Sequence, residues 1–496
     1  MLIVNEDNSH LFHKLQPSQA NEKYLNDYVD NLANASITHL FINPNAMRTS
    51  YKSKVWEAAW EPMDTSIPSA FEKIEGDVNF YRGWQKGCKM FFDAGINPYE
   101  VLIKRCVEKG IEPWVSVRMN DVHHSTEWNN TMSSDFWRKN KKFWCNQKPV
   151  EVKTKLITDF ARKWTDFALD YSHAEVRDHY FKLINELSQW EGIKGIELDF
   201  MRFGVCLRIG RGYQDAHFIT DFVRDVRKLC NERGLKLAVR VWTTPKGARY
   251  AGFDAPLWAK DGLVDIIIPS PFYFSADYEL PIDEWKREMG AEAAKRIEVI
   301  PATDSQNLTL NRYGNTYFDV PTFDGWASCM YYQGAKSLYL FNFIYVPKTL
   351  DAINKRGVSK DIVVNSDRRH PAWFRDFWYC ENPDERRAQL TEKPQVHYKL
   401  DINCGILPSV EYTVQARISF NRKTPPKCKV LINGVESVSE QKLPNWFAKQ
   451  TKGKSSMCYN FDIKLKEGAN KLEIIQADKE KPANVFWAEI RIKPKK

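Results

Sequence analysis

The chain has 496 residues, too many for one compact core, which predicts two or three domains. Hydrophobic residues make up 43% and charged residues 27%, as in globular proteins, and no apolar run approaches the roughly 18 residues of a membrane-spanning helix. The net charge of +9 is spread along the chain, without the clustered basic stripe that nucleic-acid binding requires.

Eight short apolar runs of strand character follow one another through the first 343 residues, and most are separated by helical periodicity. No G-x-G-x-x-G or phosphate-binding loop follows any of them, which argues against a nucleotide-binding sheet. Eight strand–helix units in sequence therefore predict an α/β fold, a (β/α)8 TIM barrel. The predicted strands are 2–5, 38–43, 112–117, 192–202, 236–242, 264–268, 297–302 and 337–343. The predicted helices are 21–35, 98–109, 173–191, 215–233, 256–262, 283–296, 322–335 and 348–355.

A long irregular insertion, at about 120–172, separates the third and fourth strands. It carries Trp128, Trp137, Trp144 and Trp164. Because loops of this length in compact domains are usually functional, we expect it to form a cleft wall or a lid.

The sequence pattern changes after the barrel (1–375). A charged stretch at 376–394 predicts a linker, and short alternating runs in 395–496 predict an antiparallel β-sandwich of jelly-roll type. Asn433-Gly434 and Glu467-Gly468 mark hairpin turns. A sugar-binding module and a simple buttress for the barrel both fit this second domain. The predicted runs are 396–400, 412–420, 429–433, 457–465, 471–477 and 485–492.

The stretch G-I-K-G-I-E-L-D-F-M-R at 192–202 places two acids on one face of a buried strand. Side chains alternate along a strand, so Glu197 and Asp199 share the face opposite Ile196 and Leu198. Buried acids are costly unless they are paired, bound to a ligand or used for proton chemistry. A structural pair with Arg240 is the expected fate of Glu197, whereas Asp199, at the end of the strand, is expected at the barrel mouth.

Carboxyl groups at the strand ends suggest glycosidic cleavage, which needs one proton donor and a second carboxylate. Strands four and seven lie on opposite sides of a barrel mouth. We therefore predict Asp199 as nucleophile or base and Asp304 as acid/base, with Asp121 as the alternative to Asp304. The separation that distinguishes retention from inversion cannot be predicted from the sequence.

Further polar and aromatic residues near the strand ends are predicted to bind substrate. Arg118 and Arg240, on the inward faces of the strands flanking strand four, could also hold its acids ionised. The aromatic content of 13% is compatible with a carbohydrate-binding cleft and also with a large apolar core. The positive net charge is compatible with binding of an anionic glycan and also with a well-solvated surface. The predicted binding residues are Glu6, Asp7, Asn43, Arg48, Arg118, His123, Glu197, Arg202, Arg240, Trp242, Tyr273 and Asn342, with Asn45 and Tyr51 also expected in the cleft.

No cofactor or metal is expected. His123, His124 and Asp121 are of metal-binding types but lack a further matching pair, and the ten cysteines are scattered with no C-x-x-C. The expected partner is a carbohydrate. The first residues show no secretion signal, as in a cytoplasmic chain or a mature periplasmic or secreted one.

The I-E-L-D-F-M-R, V-R-V-W and I-I-P-S-P-F-Y strands resemble those of the bacterial family-ten-like glycosylhydrolases, over residues 2–355. The resemblance implies a polysaccharide-degrading barrel whose trailing sandwich is an accessory domain. In related retaining barrels the Asp that ends strand four is the nucleophile, which matches Asp199. A large clan of retaining glycosidases instead has Asn-Glu at the end of strand four, so this chain differs from that clan there. It differs again after strand seven, where the clan has a Glu and this chain has Asp304.

The sequence thus predicts a glycoside hydrolase that acts on a complex, possibly anionic, poly- or oligosaccharide. Two alternatives stay open: a glycan-binding barrel without catalysis, and a polysaccharide lyase or isomerase on the same fold.

Overall fold

The structure is a computed structural model that describes residues 1–33, 36–72, 79–146, 164–272, 275–308, 315–372, 374–375, 387–388, 390, 393–444 and 453–495. Nine parallel strands form one curled sheet. They are β1 (Leu2–Glu6), β2 (His39–Ile42), β3 (Glu112–Arg118), β4 (Gly195–Asp199), β5 (Lys236–Trp242), β6 (Ile266–Ser270), β7 (Glu298–Val299), β8 (Ala302–Asp304) and β11 (Leu338–Phe341). Their spatial order is β7-β6-β5-β4-β3-β2-β1-β11-β8, which confirms the predicted barrel.

One short segment closes the sheet. β7 pairs with β6, and β8, which begins three residues after β7 ends, pairs with β11. Between the two pairings, the amide of Ile300 donates to the carbonyl of Ile267 and that of Tyr339 donates to Pro301. The single strand predicted at 297–302 is therefore two pieces, because Pro301 has no amide to continue a ladder.

Helices cover the outside of the barrel, and their ends follow the local sequence. The side chain of Asn21 accepts the Tyr24 amide where the first helix begins, and Gly234, with φ +68°, ends the longest one. The described helices are α1 (Glu22–Leu32), α2 (Asn79–Asp93), α3 (Pro98–Glu108), α4 (Asp135–Lys139), α5 (Ala174–Leu187), α6 (Gly212–Arg233), α7 (Pro245–Tyr250), α8 (Ala255–Lys260), α9 (Ile282–Arg296), α10 (Val320–Tyr332), α11 (Pro347–Arg356) and α12 (Lys360–Val364). None of these helices is both long and apolar enough to cross a membrane.

Alternation along the strands sorts the side chains into two layers. Ile196 and Leu198 belong to the large apolar core under the helices, as predicted. The inward face packs a separate apolar cluster that includes Phe41 stacked on Trp114, with ring centroids 4.9 Å apart. Closer to the carboxyl ends of the strands than this apolar cluster, the inward-facing side chains are charged.

The C-terminal part is a β-sandwich of two antiparallel sheets around its own apolar core. Asn433 and Gly434 both have positive φ at the turn joining two strands, as predicted for a hairpin. The first sheet contains β12 (Arg368–Pro371), β22 (Val485–Pro494), β16 (Tyr412–Phe420), β20 (Ser455–Phe461) and β19 (Ser439–Leu443), in that order. The second contains β15 (His397–Asn403), β21 (Ala469–Gln476), β17 (Cys428–Ile432) and β18 (Val435–Glu436). Two further antiparallel pairs are β9 (Gln306–Leu308) with β10 (Asn315–Tyr317), and β13 (Phe374–Arg375) with β14 (Arg387–Ala388).

Two strands of the first sheet lie outside the predicted runs. β12 precedes residue 375 yet pairs with β22, and β19 is almost wholly exposed, so it has no apolar alternation to reveal it. Most of the predicted linker lies outside the described residues, and the domain boundaries stay predictions.

A buried charge network joins the sandwich to α10. Glu489, fully buried on β22, accepts hydrogen bonds from Arg369, Arg417 and the indole of Trp487. Arg369 also donates to Asp319, 2.8 Å away, and Asp319 accepts the Thr322 amide that begins α10. The sandwich thus holds the start of a barrel helix.

Candidate active site

A cavity of about 410 Å³ opens at the carboxyl ends of the barrel strands. Polar groups from separate strands converge on it, because the carboxyl ends of parallel strands meet at the same face of a barrel. The predicted site residues that line it are Asp7, Arg118, His123, Arg202, Arg240, Asp304 and Asn342.

Asp304, the last residue of β8, differs from the other acids of the site. It makes no ion pair with any described cation within 4.0 Å; its carboxylate accepts instead from the Asn342 side chain (3.2 Å) and the Ser305 hydroxyl (3.2 Å). Burial raises the pKa of Asp304 to about 6, against weaker opposing effects of Asn342 and Arg202. Asn342 itself has φ +60°, a strained backbone of the kind that clusters at functional sites. Asp304 can therefore hold a proton close to neutral pH.

Asp7, which follows β1, is an ionised acid on the same cavity. Its Oδ2 accepts from Arg118 at 2.8 Å, and its Oδ1 accepts from the amide and hydroxyl of Ser9. Burial alone would raise the pKa of Asp7, but the cations of Arg118 and Arg202 hold it well below its usual range. Two lining carboxyl groups thus have pKa values pushed in opposite directions.

Asp121 lies behind the cavity wall rather than in it. Arg118 donates to it at 3.0 Å, and His123 Nδ1 lies 2.7 Å from its other oxygen. Despite burial, these neighbours hold the pKa of Asp121 well below its usual value. Burial lowers the pKa of His123 to about 4, so the imidazole is neutral at pH 7.

Asp199 also stands behind the wall, with Arg240 between it and the cavity. Arg240 Nε and Nη2 donate to its two oxygens at 2.9 and 2.8 Å, and both side chains are almost fully buried. Asp199 Oδ1 further accepts the Met201 amide, which begins the 3-10 turn that carries Arg202. Arg240 lies 3.9 Å above the ring of Phe341, which lines the cavity. The expected pairing of Arg240 with Glu197 is therefore replaced by a pairing with Asp199.

Glu197 points into the barrel interior, below the cavity. The Tyr339 hydroxyl donates to it at 3.1 Å, and Asn5 in turn donates to Tyr339 and to Ser116. Burial and then the charge of Asp199 raise the pKa of Glu197 to about 8, so it is mostly protonated at neutral pH. It does not contact the space where a substrate would bind.

The remaining predicted binding residues do not line the cavity. Glu6 accepts from Tyr28 and approaches His10. Asn43 donates to the Ser116 carbonyl, Arg48 to the carbonyls of Ala59 and Glu61, and Trp242 to that of Gly204. Asn45 donates to the Arg118 carbonyl and Tyr51 to Glu186. Each of these side chains is engaged by another part of the chain away from the cavity, and Tyr273 lies outside the described residues.

Aromatic side chains form much of the cavity wall, and sequence reasoning did not select them. Tyr317 and Tyr345 are about half exposed at the rim, whereas Tyr81 and Trp164 are mostly buried. Trp164, which lies in the predicted insertion, is one of the lining residues. Asn8 and Ser9 follow Asp7 in the polar tip after β1, a signal that could have identified them. The aromatic residues of the cavity are Tyr81, Trp164, Tyr317, Phe341 and Tyr345.

No group of three or more His, Cys, Asp and Glu side chains in the described part of the chain is arranged to hold a metal ion.

No model of a known protein family matches the chain, and no curated protein matches it. Solved structures resemble it distantly. An endo-β-1,4-mannanase from Thermotoga petrophila is 10% identical, with 99% of this chain and 97% of that one covered, at a TM-score of 0.42. The PgaB (BpsB) glycoside hydrolase domain from Bordetella bronchiseptica is 11% identical, with 72% and 99% covered, at 0.41. A cycloisomaltooligosaccharide glucanotransferase from Paenibacillus sp. is 10% identical at 0.36, and the chain spans 57% of its length. Likeness at this level says nothing of substrate or mechanism.

Proposed function

We propose that the chain is a glycoside hydrolase that cleaves a poly- or oligosaccharide at the mouth of the barrel, with Asp304 as the proton donor. The observation that carries this proposal is the state of Asp304, a cavity-lining acid that pairs with no arginine among the described residues and whose pKa is raised to about 6. A leaving sugar oxygen needs a proton as its bond to carbon breaks, and an acid of raised pKa can supply it near neutral pH.

Asp7 is the proposed ionised partner. Paired acids whose pKa values are pushed apart mark the acid and the charged carboxylate of a glycosidase site. In the sheet only β11 separates β1 from β8, so the strands that carry the two acids lie roughly 10 Å apart, and inward side chains narrow that gap. A sugar ring held between them would present its glycosidic oxygen to Asp304 and its anomeric carbon to Asp7.

The reaction balances with these two groups and one water molecule. Asp304 gives its proton to the glycosidic oxygen while the bond from that oxygen to the anomeric carbon breaks. The positive charge that develops at the anomeric carbon is stabilised by the Asp7 carboxylate. The oxygen of water then bonds to the anomeric carbon, and a proton of that water returns to Asp304.

Asp199 and Asp121 take supporting roles in this proposal. Both oxygens of Asp199 are engaged by Arg240, and Asp121 is engaged by Arg118 and His123. Unlike Asp7, neither carboxylate lines the cavity, so each keeps its arginine in place and is not directed at a substrate.

The test is a panel of plant, marine and host glycans, with release of reducing sugar as the readout. We expect Asp304→Asn to lower kcat/KM by roughly 10²–10⁴ on any substrate found, the usual contribution of a positioned general acid. Asp261→Asn, on the exposed surface at the end of α8, is the matched control and should keep full activity. An active enzyme whose Asp304→Asn variant is unchanged would rule out the assignment.

A second candidate function is glycan binding without cleavage. It is favoured by one observation: among the described acids around the cavity, Asp7, Asp121 and Asp199 are each held by an arginine. Glycan binding with no product from any member of the panel would support this candidate. A product that absorbs in the ultraviolet would instead indicate an unsaturated sugar and hence a lyase.

A further inference from the structure

Among the described residues, three arginines line the cavity, and two of them have carboxylates within 3.0 Å. Arg118 lies 2.8 Å from Asp7 and 3.0 Å from Asp121, and Arg240 forms its two-pronged pair with Asp199. Arg202, on the turn after β4, has only a longer contact among the described carboxylates, 4.0 Å from its Nε to Asp121 Oδ2.

The surroundings of Arg202 hold it in place but neutralise its charge only in part. Its Nη2 donates to His123 Nε2 at 3.0 Å, and that imidazole is uncharged because burial depresses its pKa. Its Nε lies 4.0 Å from Asp121 Oδ2 and is buried with no hydrogen-bond acceptor in the described part of the chain. The rings of Phe203 and Phe341 lie 5.9 and 5.7 Å from the guanidinium carbon. A mostly buried cation is thus fixed in position at the cavity surface.

We propose that Arg202 binds an acidic group of the substrate, a carboxylate or a sulfate ester, so that the cavity selects an anionic sugar. The identity of the ligand as a sugar rests on the proposed function; the selection for negative charge rests on Arg202 itself. The described carboxylate nearest to Arg202 is 4.0 Å away and already bound by Arg118, so the mostly buried guanidinium is incompletely neutralised. Its planar donors match the oxygens of such acidic groups. The aromatic wall supplies apolar surface for the sugar ring.

The position of Asp304 on the same cavity gives this binding a pH dependence. An ionised Asp304 repels a bound anion, and a protonated one does not. The affinity for an anionic sugar should therefore fall as the pH rises through about 6, the pKa of Asp304. The affinity for a neutral sugar should not follow that course.

Calorimetric titration of the full chain with D-glucuronate, D-glucose 6-sulfate and D-glucose at pH 5 tests the proposal. We expect at least one of the two anions to bind roughly tenfold or more tightly than glucose, the contribution of a charge-assisted hydrogen bond; which anion does so identifies the acidic group. Arg202→Gln should abolish that preference and Arg202→Lys should restore part of it. The matched control is Arg208→Gln, whose half-exposed side chain pairs with Asp170 away from the cavity.

Equal binding of the neutral and acidic sugars, or a preference that survives in Arg202→Gln, would overturn the proposal, as would the absence of binding by all three sugars. If Arg202→Gln does not fold, the wild-type preference and its loss between pH 5 and pH 7 decide the matter. Because binding is measured without turnover, the outcome is separate from that of hydrolysis. An anion preference that depends on Arg202, in a protein that cleaves no glycan, would refute the proposed function and leave this inference standing.

Discussion

Replacing Asp199 by Asn distinguishes a structural acid from a catalytic one. The pair with Arg240 has two hydrogen bonds of 2.8 and 2.9 Å, and both side chains are almost fully buried. The side-chain oxygen of Asn can still accept a hydrogen bond from the Met201 amide. Asn carries no negative charge, however, so the Arg240 guanidinium stays buried without its counter-charge. Removing one partner of such a pair costs about 3–5 kcal/mol, a large part of the roughly 5–15 kcal/mol that stabilises a domain.

Urea titrations followed by tryptophan fluorescence measure this loss as a drop in the free energy of unfolding of the barrel. Asp199→Asn combined with Arg240→Met should recover most of it, since the double variant contains no unpaired charge. The activity of the folded Asp199→Asn protein should stay within about tenfold of the wild type, since a supporting residue alters only the placement of Arg240 and Arg202. A variant as stable as the wild type that has lost activity by more than about 10³ would refute the reasoning and return Asp199 to the catalytic role predicted from the sequence.

Three further predictions follow from the buried charges. Asp304 is the proposed acid and its pKa is about 6, so kcat/KM should fall about tenfold per pH unit above that value, and the pH–rate profile of Asp304→Asn should lack this limb. Burial raises the pKa of Glu197 from 4.5 to about 8, so between these pH values the folded state keeps a proton that the unfolded state releases. The free energy of unfolding should therefore decrease as the pH rises from 4.5 to 8. Glu197→Gln should make the free energy of unfolding less dependent on pH in this range. Glu489→Gln leaves Arg369 and Arg417 short of a counter-charge, so it should destabilise the sandwich by about 3–5 kcal/mol in the same titrations.

The barrel could be predicted because its strands and helices differ in period and are bounded by local signals. Gly234 and the Asn433-Gly434 turn adopt the backbone conformations that their sequence implies. The exceptions have physical causes. Pro301 interrupts strand seven, and the exposed residues of β19 carry no alternating pattern.

The candidate site could be predicted only in part. Strand alternation predicts to which face of the sheet a side chain points, but it does not predict which residue the end of a long side chain contacts. Arg118 is level with Asp199 in the pairing of β3 with β4, yet its guanidinium extends to Asp7 and Asp121 instead. The choice of partner depends on the length of the arginine and on the loop after β1, neither of which has a periodic signature. Asp304 was identified from its place after strand seven, whereas the absence of a direct ion pair with any described arginine became visible only in three dimensions.

The central claim, proton donation by Asp304, is tested most directly by two substrates that share one sugar and differ in leaving group. One carries the natural alcohol linkage and the other a dinitrophenyl group, which departs without a proton. Asp304→Asn should lose roughly 10²–10⁴ in kcat/KM on the first substrate and less than about tenfold on the second. Equal losses on both substrates would contradict the assignment of Asp304 as the acid.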